Sequence, residues 1–267
     1  MSREFDGKTA VVTGSSSGIG RAIALELAAA GAAVVIHGRK RTDAAEQVAE
    51  QIKAQGGQST VIMADLADPT THHALVDQAW NWRDGVQLWI NNAGADVLTG
   101  QVAGWSFQQK LELLWQVDVR AAIQLARAIG QRMMARQEAK PGGEPDVILN
   151  MGWDQAEFGM AGDSGEMFAA IKGAVMAFSR SLARSLAPHV RVNCLAPGWI
   201  RTAWGHEASE YWQRRAASES LLQRWGTPED VARTARFLAS PAASFITGQT
   251  IPINGGLRTT PPDVDAR

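Results

Sequence analysis

Short runs of β-branched and apolar residues alternate along this chain with longer segments whose apolar positions recur every three or four residues. That alternation is the signature of a parallel sheet covered by helices on both faces. The spacing predicts strands at 9–13, 34–36, 60–63, 88–90, 147–149 and 190–193, and helices at 21–30, 43–55, 70–82, 107–137 and 164–187. Gly31 and the pair Gly56-Gly57 stop the first two helices, Lys140-Pro141-Gly142-Gly143-Glu144-Pro145 breaks the chain before the fifth strand, and Pro188 closes the last helix. Asp163, with Glu166 three residues on, resembles a capping pair for that helix. With no repeat or low-complexity segment, residues 1–267 read as a single domain, and the proline-bearing tail 258–267 is expected to be flexible.

Composition narrows the function classes. The 267 residues suffice for one large α/β domain with a full core. The 26 basic and 27 acidic residues leave a formal net charge of -1 with no like-charged block, so neither nucleic acid nor an anionic membrane is an expected partner. A lone cysteine, Cys194, excludes a disulfide within the chain. The five histidines show no ligand spacing, and no metal is expected. The N-terminal residues carry no signal-peptide pattern, which makes a cytoplasmic location the default.

Candidate chemistry begins at Thr13-Gly14-Ser15-Ser16-Ser17-Gly18-Ile19-Gly20, between the first strand and its helix. Glycines there allow a sharp turn and close approach of backbone to a pyrophosphate, while the helix N-terminus offers free N–H groups. A glycine pattern alone also fits a plain tight turn. Its company is more specific. Asp65-Leu66 follows the third strand and Asn91-Asn92-Ala93-Gly94 the fourth. Lys172 lies on the long helix, followed by Pro197-Gly198-Trp199-Ile200-Arg201-Thr202 and the closing Thr247-Gly248-Gln249 and Asn254-Gly255-Gly256. Together, from about Lys8 to Gly256, these resemble the short-chain dehydrogenase/reductase family.

The resemblance implies a Rossmann-type, doubly wound parallel sheet of about seven strands, with a nicotinamide nucleotide lying across the strand C-termini. By position, Gly14, Ser16, Ser17, Gly18, Ile19 and Gly20 would hold the pyrophosphate and adjacent ribose. Asp65 and Leu66 would border the adenine, and Asn92, Ala93 and Gly94 the middle of the cofactor. Pro197, Gly198, Ile200 and Thr202 would meet the nicotinamide, with Lys172 on its ribose. An NAD-preferring site needs an acid just past the second strand. Here Gly38 stands there, followed by Arg39, Lys40 and Arg41. A guanidinium at Arg39 suits a ribose phosphate, so NADP(H) is expected over NAD(H). Lys40 and Arg41 read equally well as a solvated helix start.

The reactive positions depart from the family pattern. Members place a Tyr four residues before the Lys, a Ser after the fifth strand and an Asn on the preceding long helix. Here Phe168 holds the Tyr position, Trp153 or Asp154 the Ser position and Asp118 the Asn position. A positioned general acid is worth roughly 10²–10⁴-fold, and phenylalanine has no proton to give. Asp154 is the leading substitute, because a desolvated carboxyl facing a cavity can stay protonated near neutrality; it reads equally well as a cap on the loop after the strand. Some pteridine-reducing members carry an Asp at the Ser position, though they keep the Tyr. Trp153 can offer only an indole N–H. Asp118 opposite Lys172 reads as a site-stabilising ion pair, while Glu157, His206 and Glu207 lie in flanking loops. The only tyrosine, Tyr211, falls in the expected substrate loop, about 200–226.

Trp153, Trp199, Trp204, Trp212 and Trp225 fall where the resemblance places the substrate cleft. They either offer a stacking surface to a flat or apolar small molecule or pack the loop onto the body. The expected function is NADP(H)-dependent hydride transfer between nicotinamide and a carbonyl or alcohol. Two other readings fit the same residues: a non-catalytic NADP(H)-binding sensor or subunit, and a cofactor-assisted isomerase or lyase. Family members commonly form tetramers or dimers, so a homo-oligomer is expected.

Overall fold

Seven strands form one wholly parallel sheet. They are β1 (Thr9–Val12), β2 (Ala33–Gly38), β3 (Ser59–Met63), β4 (Leu88–Asn91), β5 (Asp146–Met151), β6 (Val190–Pro197) and β7 (Thr250–Ile253). The computed structural model describes residues 3–83 and 85–258, so the tail expected to be flexible lies, from residue 259 on, outside the described residues. Strand order is 3-2-1-4-5-6-7. The chain therefore winds outward from β1 to β3, returns to the centre at β4 and winds the other way. The reversal between β1 and β4 opens a crevice at the strand C-termini, where α/β sheets bind their ligands.

Both faces of the sheet are buried, which is why its strands read as near-continuous apolar runs. On one face α1 (Gly18–Ala29), α2 (Thr42–Ala54) and α9 (Pro228–Ala239) pack Ile23, Leu27, Ile52 and Leu238 against Val12, Ile36 and Leu149. On the other, α3 (Thr70–Asn81), α5 (Ala121–Ala139) and α6 (Asp163–Leu186) pack Leu75, Ile129 and Leu186 against Val11, Trp89 and Ile148. Buried polar groups at the sheet centre are paired in series. Trp89 Nε1 donates to Asn91, Asn91 to Asn150, and Asn150 to Ser179 on α6.

Four local features differ from the sequence expectation. The helix expected at 107–137 is interrupted: α4 (Phe107–Leu114) passes into a π-helical stretch, Trp115–Arg120, before α5 begins. Such wide turns concentrate at functional sites, and this one carries Asp118, tied inward to Ala95 and Lys172. The expected capping pair on α6 does not form. Gly162, at φ 92°, takes the N-cap position one residue early, leaving Asp163 and Glu166 in the first turn, where they act only through the helix dipole. The expected loop 200–226 contains two helices, α7 (Ala203–Glu207) and α8 (Glu210–Glu219). Neither α9 nor β7 was picked out by periodicity, although Thr227 and Asp230 form a capping box with Pro228 at the first helical turn.

Among the described residues no helix is long and apolar enough to cross a membrane, and no cluster of potential metal ligands occurs.

Candidate active site

The turn from β1 into α1 is held open by backbone conformations that favour glycine. Gly14 and Gly18 sit at φ 64° and 55°. A Cβ on Gly14 would lie 2.9 Å from Ala93 Cα; one on Gly20 would lie 2.3 Å from the Gly14 carbonyl oxygen. Backbone and, at Gly20, the Asn92 side chain at 2.4 Å occupy the space a Cβ would need. Asn92 clamps the loop from the β4 side, its Nδ2 donating to the carbonyls of Thr13 (2.9 Å) and Gly14 (3.2 Å). Its side chain is thus committed to the chain itself. Thr13 Oγ1 in turn accepts from the N–H groups of Asn92 and Ala93.

His37 clamps the same loop from the β2 side. Its Nδ1 accepts from Gly14 N–H (3.0 Å) and its Nε2 faces the Ala64 carbonyl (3.2 Å), which places the ring proton on Nε2. Burial lowers the imidazole to about 4, outweighing the Ala64 carbonyl and Asp65, so the acceptor at Nδ1 persists at neutral pH. Sequence reasoning passed over His37 because it sought metal-ligand spacing. The available signal was a polar residue within an otherwise apolar strand.

What this scaffold leaves free suits an anion. Among the described residues Ser16 and Ser17 make no side-chain hydrogen bonds, and no side chain caps α1. The first-turn N–H groups lack intrahelical partners, and both serines are at least partly accessible to solvent. Just beyond Gly38, Arg39 is exposed and has no ion-pair partner among the described residues. Asp65 turns its carboxylate onto Ala67 N–H, and Leu66 is buried.

On the other side of the crevice, Lys172 Nζ donates to Asp118 Oδ2 at 2.8 Å, and Asp118 Oδ1 accepts from Ala95 N–H. The pair is almost wholly buried. Gly94 leaves room for it, since a Cβ there would fall 2.8 Å from Asp118 Oδ2. Lys172 also borders a cavity of about 450 Å³. Trp153 and Phe168 meet edge to face on its wall, ring centroids 6.1 Å apart. Trp199, Trp204, Trp212 and Trp225 form the far side, with every contacting pair of rings 5.5–6.2 Å apart. Arg215 braces this group: it lies over Trp199 and Trp212 and pairs with Glu219, which also accepts from Trp199 Nε1. The rings thus pack α7 and α8 onto the body and line the cavity.

Lys172 is the only ionisable side chain on that wall. Asp154, expected to face the cavity, does not line it. Its Oδ2 accepts from Asn254 Nδ2 (3.1 Å) and lies where a Cβ on Gly198 would be 2.8 Å away, behind the 197–202 loop. The physical reason is local: after β5 the chain enters a single 3-10 turn at Asp154–Ala156, and consecutive residues Trp153 and Asp154 point opposite ways. Trp153 takes the cavity side. Burial does push the Asp154 carboxyl up, to about 6, with the Asn254 hydrogen bond opposing. Its Oδ1 has no partner. Glu157, His206, Glu207 and Tyr211 are exposed and off the wall, so none of them brings a proton there. One polar wall residue had escaped notice. Ser164, two helical turns before Lys172 on α6, presents a hydroxyl without a partner among the described residues; its signal was the i, i+4, i+8 spacing through Phe168 to Lys172.

Comparison with known proteins finds likeness along nearly the whole chain. A family model described as enoyl-(acyl carrier protein) reductase matches residues 14–258. The chain is 33% identical over 262 residues to tropinone reductase-like 3 of Erythroxylum coca, covering 96% of this chain and 95% of the relative. It is 32% identical over 265 residues to the 3-oxoacyl-[acyl-carrier-protein] reductase FabG of Aquifex aeolicus (strain VF5), covering 96% of this chain and all (100%) of that one. Among solved structures, a 3-oxoacyl (acyl-carrier-protein) reductase from Agrobacterium tumefaciens C58 with NADP bound superposes with a TM-score of 0.82 at 30% identity, covering 94% of this chain and 95% of that one. The chain belongs to the short-chain dehydrogenase/reductase family of oxidoreductases.

Proposed function

We propose that this protein is an NADP(H)-dependent oxidoreductase acting on the carbonyl or alcohol of an apolar, planar small molecule. The observation that carries this reading is a shared wall. Ile19 of the glycine turn, Lys172 and the Gly198–Thr202 loop border the same aromatic cavity. A nucleotide in the cradle would therefore end where a substrate would lie. The NADP-bound relative supports the choice of cofactor, as does Arg39, without an ion-pair partner among the described residues, where an NAD site needs an acid.

When bound, the nicotinamide supplies or accepts hydride. Gly14, Gly18 and Gly20 let the backbone approach the pyrophosphate, and Ser16, Ser17 and the first turn of α1 donate to it. Asp65 and Leu66 border the adenine; Ala93 and Gly94 line the middle of the cleft. Pro197, Gly198, Ile200 and Thr202 orient the nicotinamide. Lys172, held by Asp118, binds the ribose and places one positive charge at the substrate end. Trp153 and Phe168 exclude water and offer a stacking edge. Asp154 acts as a positioning residue, holding Asn254 behind the 197–202 loop.

A second reading, a non-catalytic NADP(H)-binding protein, is favoured by the phenyl ring at position 168. One experiment separates the two. NADPH oxidation is followed with a panel of aldehydes, aryl ketones and quinones, for wild type and Phe168→Tyr. Turnover by wild type supports the oxidoreductase. NADPH binding with no turnover by wild type of any compound, aryl ketones bearing a neighbouring hydroxyl included, but with turnover restored in the variant, would sink it.

A further inference from the structure

We infer that the substrates of this cavity are planar aryl ketones bearing a hydroxyl beside the carbonyl, so that the ligand itself brings the proton its wall lacks. The inference rests on the proposed hydride transfer and names its substrate class.

The shape comes from the wall. Five indoles and Phe168 surround about 450 Å³, a lining that selects flat aromatic bodies. The hydroxyl follows from what the wall omits. Its polar side-chain groups are the Ser164 and Thr202 hydroxyls, the indole N–H groups other than that of Trp199, which goes to Glu219, and Lys172. Hydroxyls of this kind and indoles donate hydrogen bonds without releasing protons. Ser164 lies eight residues before Lys172, about 12 Å along the helix axis, and so serves the far end of a ligand. The Lys172 ammonium is committed to Asp118 at 2.8 Å. Asp154 is hidden behind Gly198. A carbonyl oxygen brought to the Lys172 end therefore meets a phenyl ring where a proton donor would stand.

A phenolic hydroxyl already bonded to the ligand's own carbonyl oxygen removes that obstacle. A bound reduced nicotinamide would supply hydride to the carbonyl carbon and be oxidised in doing so; the C=O π pair would move onto oxygen, which would take the proton of the neighbouring hydroxyl. The phenol O–H bond would break, leaving an alcohol and a phenolate that regains a proton from water on release. An unpaired anion in an apolar cavity is costly; Lys172 gives one of its three N–H donors to Asp118, and the other two can donate to the phenolate.

The test uses the full chain with NADPH and two probes, peri-hydroxytetralone and its O-methyl ether. Binding is read by quenching of tryptophan fluorescence, turnover by NADPH oxidation. Both probes are expected to bind within a few-fold of each other, and Trp204→Ala to weaken both about tenfold. Wild type is expected to reduce the hydroxy compound with a kcat/KM at least about 10²-fold above the ether, the worth of a positioned acid. Phe168→Tyr is expected to bring the ether to within about tenfold; if that variant fails to fold, the wild-type ratio alone decides. Equal rates for the two probes, binding of the hydroxy compound without turnover, or binding of neither overturns the inference. Failure of NADPH itself to bind would instead remove the function beneath it.

Discussion

The two ends of the cleft are built on opposite principles. At the nucleotide end the polar groups are numerous and divided by task. His37, Thr13 and Asn92 spend their hydrogen bonds fixing the glycine turn, while Ser16, Ser17 and Arg39 are left free. At the substrate end the wall is aromatic, and its single charge is already paired. A rigid polar frame can place a nucleotide whatever lies beyond it. An apolar chamber can select and desolvate a ligand but cannot finish acid–base chemistry alone. Phe168 stands one helical turn from Lys172 and has no proton to offer, so this wall can position a ligand more readily than it can protonate one.

The strongest way to break that division is at the frame. Gly20→Ala would force a Cβ within 2.3 Å of a backbone oxygen and 2.4 Å of Asn92 Nδ2. Nothing there can yield without opening the turn, so NADPH affinity is expected to fall by at least about 10²-fold, or the melting temperature by many degrees, in line with the cost of overpacking. Cofactor fluorescence and thermal melts would check it. Unchanged values would mean that the turn is not the cradle.

Arg39→Asp should act next, and selectively. Loss of a bidentate phosphate partner and gain of a repelling acid are expected to weaken NADPH by about 10–100-fold while NADH binding holds or improves, following the strength of charge-assisted bonds. Parallel titrations with the two reduced cofactors read this out. An equal loss for both would make Arg39 part of the general surface.

Asp154→Asn sharpens the other half. The Asp154 carboxyl titrates near 6 in the folded chain against 3.8 ordinarily, because burial disfavours its charge. The folded state therefore holds the proton more tightly, and wild type loses stability as pH rises from about 4 through 6. Asparagine keeps the Asn254 bond without the charge. The variant should be more stable than wild type by about 1–3 kcal/mol at pH above that window, with the gap closing toward its acid end. Asp146, also raised to about 6 by burial, and His37, lowered to about 4, are common to both proteins and cancel in the difference. Denaturation across pH would show it. A variant less stable at neutral pH would mean that the Asp154 charge is compensated.

His37→Leu is the mildest. It leaves the Gly14 N–H without an acceptor, a loss of about 1–3 kcal/mol, visible as a lower melting temperature and a several-fold weaker NADPH affinity. A wild-type affinity would make the clamp dispensable.

Much of this molecule could be read before its structure. The parallel sheet was visible as buried β-branched runs, and the tight turn from β1 into α1 as glycines at fixed offsets, because each follows from local backbone demands. The substrate end was read less well, for reasons that are also physical. Which way Trp153 and Asp154 point depends on one short 3-10 turn, and a sequence does not reveal a half-turn of rotation. The break in the long helix at Trp115–Arg120 leaves no gap in apolar spacing, and only the inward pull on Asp118 makes it intelligible. The π stretch and the 3-10 turn decide what faces the cavity.

The most direct measurement is titration of the purified wild-type chain with NADPH and with NADH, followed by nicotinamide fluorescence. Saturable binding of NADPH, tighter than that of NADH, is the expected result. No binding of either cofactor would contradict the cradle, and with it every statement about what stands at its reactive end.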